Sequence, residues 1–423
     1  MFGANPNTMT FKQVFSAEYQ MSHFRQPVYQ ILADTRFDAG LTKGQTLNRS
    51  FASDVQVNDM GADGSYSTQA ITDTQESLTV NFEKEASIYI KSLDQMQAHL
   101  PVKQKYAKKL ANALINQIDG DVLLRAFQGA GTIIDNSTLG GSVGDGIVAS
   151  ASNVSVIFSL AMEKLIKKNV VYNNARFSGL QAEVPEGMPI AVIPPEILTF
   201  IQLFIGGKDT RDADDVNDNG FHGDWQGFQL FVSNSLTWTG TLGLATQPTD
   251  GDTVTINGVV FTFKTALGAV AGQVLIGASA ATANTNLTAL VNAPSVTTAQ
   301  GVALTSANQR LLKNITATAA ATSTTFVSAG WGNVVVSRIL TAAADVFTLA
   351  KQQVHAIFGL SKSVALVVQK DPSLEENFVS GKIGKDFIAW AVYGIKVFAD
   401  QAPMIVDVAL QVDTYSATSN LPK

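Results

Sequence analysis

The stretch NGFHGDWQGFQLFVSNSL, residues 219–236, joins a glycine-punctuated turn to an alternating strand. Gly220, Gly223 and Gly227 supply turn positions, and Phe228 to Val232 reads as the strand they introduce. Upstream lie an Asp-rich loop from Lys208 to Asn219, a short helix beginning at Pro195 and a strand from Pro189 to Ile193. Proline suits the first turn of a helix, where its missing N–H costs nothing. Alternating helices and strands of this kind predict an α/β layer.

Further upstream, Ser152 or Asn153 is placed to cap a helix whose apolar side is Val156, Leu160, Leu165 and Ile166. Ala130 to Ser150 reads as a Gly/Ser-rich linker. Before it comes the clearest helix. It starts near Pro101 and carries Leu110, Leu114, Ile118 and Val122 at every fourth position, with Ala107, Ala111 and Ile115 beside them. Lys103, Lys105, Lys108 and Lys109 lie near its start, and Gly129 and Gly131 end it. Leu47 to Ile90 reads as β, with strands at Ser50–Val57 and Ser77–Ile90. Between them Asn58 to Thr74 is a polar hairpin of weakly specified register, expected to pack on a neighbouring chain. Residues 1–40 read as an extended arm with one short helix.

Downstream, composition shifts at about Gly240. From there to Asp345 the charged residues are Asp250, Asp252, Lys264, Arg310, Lys313, Arg338 and Asp345, and Ala and Thr dominate. The run GDTVTINGVVFTFK predicts a hairpin turning at Asn257-Gly258, a favoured type I′ pair. A strand at Leu275–Gly277, a helix at Ala281–Asn292 with Leu287, Leu290 and Val291 apolar, and strands at Ile315–Ala320 and Thr325–Ser328 complete a small α+β domain. After Asp345 the chain resumes the composition it had before Gly240. Val346 to Gly359 reads as strand, Ser361 to Lys370 as a short helix, and Phe387–Ala399 and Met404–Val412 as closing strands. The α+β domain is therefore inserted between the halves of the α/β unit.

Composition narrows the function classes. Of 423 residues, 46% are hydrophobic and 15% charged, with a mean hydropathy of +0.13. Ordinary globular domains carry about 25% charged residues, so an apolar chain of this size hides a large core or buries surface against partners. The net charge is −6 and no basic block exceeds Lys103–Lys109, which argues against a dedicated nucleic-acid binder. Cysteine is absent, which removes disulfides, thiolate catalysis and Cys-ligated zinc. His23, His99, His222 and His355 show no metal-ligand spacing. The first residues form no signal peptide, and Pro194-Pro195 and Glu196 interrupt the apolar run Met188–Gly206, which reads as strand then helix rather than a membrane span.

The candidate chemistry is sparse. Asp215, Asn217, Asn219 and Gly220 followed by Gln226 match EF-hand spacing, but Gln226 stands where a bidentate Glu completes a Ca²⁺ shell. That motif, with Asp209, Asp212, Asp214 and Asp218, reads as an Asx-rich surface loop. The Lys103–Lys109 cluster reads as an exposed helix face, with packaged DNA or an acidic neighbour as the functional alternative. Glu83 and Glu85 share a strand face without a pocket motif, and no phosphate loop, dinucleotide fingerprint or nucleophile elbow occurs. Trp225, Trp238, Trp331 and Trp390 read as core or interface anchors. No catalytic, cofactor-binding or metal-binding residues are assigned, and no enzyme is expected.

Asn219-Gly220-Phe221 with Gly223, then Gly227-Phe228 and Val232-Ser233-Asn234, resemble the turn-and-strand pattern of tailed-bacteriophage major capsid proteins, the Hong Kong 97-type fold. Gly359 to Gln369 resembles that family's next strand-to-helix step, and Tyr393-Gly394-Ile395-Lys396-Val397 its closing strand. The resemblance covers roughly residues 10–236 and 346–412. It implies an α+β capsid fold with an N-terminal arm at 1–46, an extended hairpin loop and peripheral-domain strands at 47–90, and a peripheral domain with a spine helix at 91–149. An axial domain follows at 150–239 and resumes at 346–423, around the inserted domain at 240–345. Ser50 to Ile71 would be the intersubunit loop and Lys103 to Phe127 the spine. The implied function is an icosahedral shell of hexameric and pentameric capsomers enclosing double-stranded DNA without sequence-specific binding. It would be assembled in the host cytoplasm with a portal protein and possible decoration proteins. The chain starts on a short arm at Met1, which predicts a separate scaffolding protein rather than a cleaved leader. The inserted domain departs from the family pattern and is expected to project from the shell or brace neighbouring subunits. The rival reading is a secreted adhesin or surface-layer protein.

Overall fold

The computed structural model describes residues 27–37, 44–52, 57–60, 62–66, 68, 70, 73–92, 102–168, 170, 187–207, 223–330, 334, 336–340, 347–349, 352–379 and 381–411. The first half of the chain runs α1 (Tyr29–Leu32), β1 (Ala33–Asp34), β2 (Thr46–Ala52), β3 (Asp73–Thr79), β4 (Phe82–Lys91), α2 (Val102–Gln128), β5 (Thr132–Ile134), β6 (Ile147–Val148), α3 (Val154–Lys167), β7 (Pro189–Ile193), α4 (Pro195–Gly206), β8 (Asp224–Trp225) and β9 (Phe228–Val232). Then come β10 (Trp238–Leu244), β11 (Thr253–Ile256), β12 (Val259–Lys264), β13 (Gln273–Leu275), α5 (Ala280–Asn292), α6 (Ser306–Leu311), β14 (Ile315–Ala319), β15 (Ser323–Ser328) and β16 (Val336–Ile339). The last elements are β17 (Phe347–Leu349), β18 (Gln353–Leu360), β19 (Val364–Phe378), β20 (Gly384–Lys396) and β21 (Ile405–Gln411).

Strand β18 is the branch point of the main sheet. Val354 pairs both Trp238 of β10 and Leu410 of β21, and Ile357 pairs both Val192 of β7 and Asp407 of β21. So β21 lies along one side of β18, while β10 and β7 share the other. From Val354 to Leu360 and from Ile405 to Leu410 every residue is buried. Strands covered on both faces read as continuous apolar runs rather than alternating ones. Helix α3 contributes Val154, Ile157, Phe158, Ala161 and Leu165 to this core. The expected apolar side is thus rotated: Leu165 is buried, whereas Val156 and Ile166 are exposed. Asn153 stands before the first turn without bonding a helix N–H, its amide instead tying Ser150 and Val148.

Helix α2 is the spine. Leu114, Ile118, Val122, Leu123 and Ala126 are buried along it. Its interior Gly120 sits where alanine would be preferred by about 1 kcal/mol. A Cβ at that position would lie 2.6 Å from the Cα of Gly330, so the backbone of a distant loop rests on the helix at this point. Gly129 and Gly131 follow the last turn, packed against Val397 and the Ala402 carbonyl. Pro101 lies outside the described residues.

Several expectations need correction. The linker at 130–150 lays β5 and β6 parallel to β21. The run Ser77–Ile90 is two strands broken at Val80-Asn81, β3 pairing β2 and β4 pairing β20. Ser361–Lys370 is not a helix. Lys362 adopts φ +59 in a turn, and Val364 to Val367 are all buried in the first half of the 15-residue β19. Its β-branched valines favour a strand packed on both faces over a helix. Pro372 falls where the β19–β20 register shifts between Lys370 and Ser373, the place a sheet tolerates proline.

A second core gathers Leu242, Leu244, Val254, Ile256, Phe261, Phe263, Leu287, Leu290 and Phe326. Its hairpin turns at Asn257 (φ +48) and Gly258 (φ +82), as the type I′ pair predicts. Strand β10, not foreseen, joins the two cores by pairing β15 along six residues and β18 at its start.

Candidate functional site

Two surfaces and one polar cluster stand out. The first surface is the β2–β3 hairpin, paired from Thr46↔Thr79 to Ala52↔Asp73. Its root is clamped to the body. Leu78 and Val80 form a small core with Ala365, Val367 and Phe398, and Phe37 meets Phe398 edge-on at 5.5 Å. Arg49 donates to Asp400 Oδ1 at 3.0 Å and lies over the Phe398 ring at 5.0 Å. The Ala399 N–H donates to Glu76 at 3.1 Å, and Lys396 Nζ donates to the Ser77 carbonyl at 2.8 Å. The tip is the opposite. Val57 is 99% exposed, Tyr66 82% and Met60 71%, and Asp63 bonds only its neighbour Ser65 among the described residues. From Ser50 to Glu83 the sequence holds acidic side chains and no lysine or arginine.

The second surface is the outer side of α3 and α4. Helix α4, PEILTFIQLFIG, is apolar almost all round, yet Ile197 and Ile201 alone are fully buried in it and Leu203 is 59% exposed. A helix apolar on every side is normally covered on every side. Beside it, a shallow groove of about 550 Å³ runs along α3, lined by Ser159, Met162, Glu163, Ile166, Lys167 and Gln226. Gln226 holds φ +49 in the β8–β9 turn and donates through Nε2 to Ser155 Oγ at 2.5 Å. Trp225, next to it, packs against Phe158 and Phe204.

The polar cluster escaped the sequence reading because its members lie far apart in the chain. His355 Nδ1 is 2.8 Å from Asp407 Oδ2, and Nε2 is 2.9 Å from Thr239 Oγ1. Both His355 and Asp407 are buried, and the Phe127 ring lies 4.2 Å from the imidazole. Burial pushes the Asp407 carboxyl above the usual carboxylate range, with His355 opposing the shift. The order Asp–His–hydroxyl is that of a hydrolase triad. In the α/β-hydrolases the nucleophile sits on an exposed strand-to-helix turn. Thr239 instead lies in a strand paired to Val327 on one side and Gln353 on the other. The cluster ties β10, β18 and β21 together at the branch point of the sheet.

A similar knot joins the spine to the second sheet. Tyr393 Oη donates to Asp121 Oδ2 at 2.6 Å while its ring stacks on Phe82, and burial with the Asp121 charge pushes the phenol above its ordinary range. Asp119 Oδ1 accepts from the N–H groups of Val28 and Tyr29, both at 2.8 Å, fixing α1 on α2.

The residues singled out from sequence are scattered. Asp209, Asp212, Asp214, Asp215, Asn217, Asp218, Asn219 and Gly220 lie outside the described residues, as do Trp331 and the side chains of Lys103 and Lys105. Gln226 belongs to the β8–β9 turn. Lys108 and Lys109 are exposed on α2, and Glu83 and Glu85 alternate on the outer face of edge strand β4. Trp390 donates to Glu375 Oε1 at 2.9 Å, and Trp238 packs partly buried between the two cores. Among the described residues no group of three His, Asp or Glu side chains could hold a metal ion, and no helix is long and apolar enough to cross a membrane.

No protein-family model matches the sequence, and no curated protein matches it. Solved structures do. One from Mycobacterium phage Che8 is 14% identical and aligns over 96% of this chain and 98% of the other, with a TM-score of 0.56. The capsid structure of cyanophage P-SCSP1u is 12% identical over 96% and 94%, with a TM-score of 0.49. The capsid of Ralstonia phage GP4 is 7% identical over 98% and 99%, also at 0.49. The first likeness shows that the α+β fold of this chain is shared along nearly its whole length with a phage protein, further than the sequence resemblance, which stopped at residue 236 and resumed at 346.

Proposed function

We propose that the chain is the major capsid protein of a tailed bacteriophage, a building block of the icosahedral head around double-stranded DNA. The observation that carries this reading is the shared fold with the Mycobacterium phage Che8 structure over 96% of the chain. The surface geometry supports it. A hairpin with an apolar, acidic tip projects from a clamped root, and α4 leaves Leu203 uncovered. Both are features of a subunit completed by its neighbours. Stable contacts between copies typically bury about 1,600 Å² each, and many such contacts in a closed shell add up to high stability.

In this reading the arm at 1–46, the hairpin at 47–90 and the spine region at 91–149 form the periphery. Residues 150–239 and 346–423 form the axial part, and 240–345 is the inserted domain, whose own core supports treating it as a unit. The chain acts without catalysis, assembles in the host cytoplasm into hexameric and pentameric capsomers, and works with a separate scaffolding protein, a portal protein and possible decoration proteins. It encloses DNA without reading its sequence, in keeping with a net charge of −6.

Negative-stain microscopy of the expressed chain, alone and with its scaffolding partner, tests the reading. Shells or capsomers are expected. A monomer under every condition overturns it, and a monomer that changes its hydrodynamic behaviour with Ca²⁺ favours an adhesin.

A further inference from the structure

Edge strands expose unpaired N–H and C=O groups on which another chain can add a strand. Two strands around the second core, β13 and β14, are the ends of their sheets, and helix α5 lies against both. Strand β14 pairs β15 through Thr316↔Val327, Ala317↔Phe326 and Thr318↔Thr325. The Ala317 N–H and carbonyl are not used in that ladder. They point outward and meet one side chain: Ala317 N–H donates to Asn292 Oδ1 at 2.8 Å, and Asn292 Nδ2 donates to the Ala317 carbonyl at 2.9 Å. A carboxamide has the donor and acceptor of a peptide group, so Asn292 occupies the place an added strand would take. At one end of the same edge, the Ile315 N–H is already bonded to the Leu312 carbonyl.

Strand β13 is treated in the same way. Asn286 Nδ2 donates to the Leu275 carbonyl at 2.8 Å. The chain at 300–302 covers the rest, with Leu275 N–H donating to the Gln300 carbonyl and Val302 N–H to the Gln273 carbonyl. Asn286 and Asn292 are six residues apart on one helix, and Asn286 is buried. Asparagine is a poor helix former, so helix propensity does not account for Asn286 in the interior of the helix.

We propose that α5 is an edge seal: Asn292 and Asn286 hold the outer edges of β14 and β13 closed against strand addition by a second copy of this chain. The inference stands on contacts within residues 273–328 and holds whether or not the chain builds shells. Within a shell, where identical domains sit side by side, an open edge would link neighbours in the wrong geometry.

The test uses the full chain with Asn292→Ala, the double variant N286A/N292A, and Thr285→Ala on the exposed side of α5 as control. Amide hydrogen exchange and sedimentation velocity are the readouts. In the wild type the Ala317 amide is expected to be protected. In N292A it should exchange at least tenfold faster, and self-association should begin at a concentration at least tenfold lower, with an infrared band of intermolecular β-structure. T285A should match the wild type. Folded N292A with unchanged exchange and association overturns the proposal, as does a wild-type Ala317 amide exchanging like an open loop. Should N292A fail to fold, Asn292→Asp keeps the acceptor for the Ala317 N–H and loses the donor. An intermediate association threshold in that variant supports the seal, and a wild-type threshold overturns it.

Discussion

Gly120 shows how a single residue can serve the whole fold. In an isolated helix Gly120→Ala would add about 1 kcal/mol of stability. Here the added methyl meets the Gly330 backbone at 2.6 Å, and backbone cannot rotate out of the way as a side chain can. The clash decides the sign: the variant should be destabilised by about 1–3 kcal/mol, as overpacked cores are, read by urea denaturation. Asp407 gives a pH prediction. Its folded pKa is raised by burial, so its contribution to stability is fully present below the unfolded value of about 3.9 and is lost as pH rises through the folded value. Asp407→Asn keeps an oxygen to accept from the His355 Nδ1–H and removes the buried charge. The variant should exceed the wild type by about 1 kcal/mol at pH 7, with the gap closing towards pH 4. A gap that widens on acidification would contradict this account.

At the scale of elements, local chemistry was legible wherever it dominated. Asn257-Gly258 turned its hairpin as the pair predicts, and Pro195 opened α4. Ser361–Lys370 was misread as a helix because a short buried valine run has no period of its own, and the layers on either side decide its state. The face of α3 was misplaced for a related reason: Val156 and Ile166 are apolar, but the helix turns Val154, Phe158 and Leu165 inward instead. The β2–β3 hairpin carries the prediction at this scale. Its clamped root and exposed tip separate fold from assembly. Replacing residues 57–70 by a short Gly/Ser turn should leave the melting temperature within a few degrees of the wild type while abolishing closed shells by microscopy. Normal shells from that variant would remove the loop from the assembly contacts.

For the whole molecule, the question is what covers the apolar surface. Leu203 is 59% exposed on a helix that is mostly apolar, so Leu203→Asp costs little in the isolated subunit and should block association. If the chain builds capsomers as proposed, sedimentation velocity of the variant is expected to show subunits in their place, with an unchanged circular dichroism spectrum. Loss of folding together with association would mean that α4 is covered within its own chain.

The sequence by itself determined the spine helix, the turn at residue 227 and the hairpin of the second core, because each rests on local periodicity or turn chemistry. It also showed a sparsely charged, cysteine-free chain with no motif for catalysis. Tertiary structure alone decided the branch at β18, the bridging role of β10 and the transit of the 130–150 segment along β21. It alone brought Asp407 to His355 and Thr239, Asp121 to Tyr393, Gly120 to Gly330 and Asn292 to Ala317. The physical reason is sequence distance: Asp121 and Tyr393 are 272 residues apart. A polar or glycine residue meant for a partner that far away leaves no periodic signal of its own.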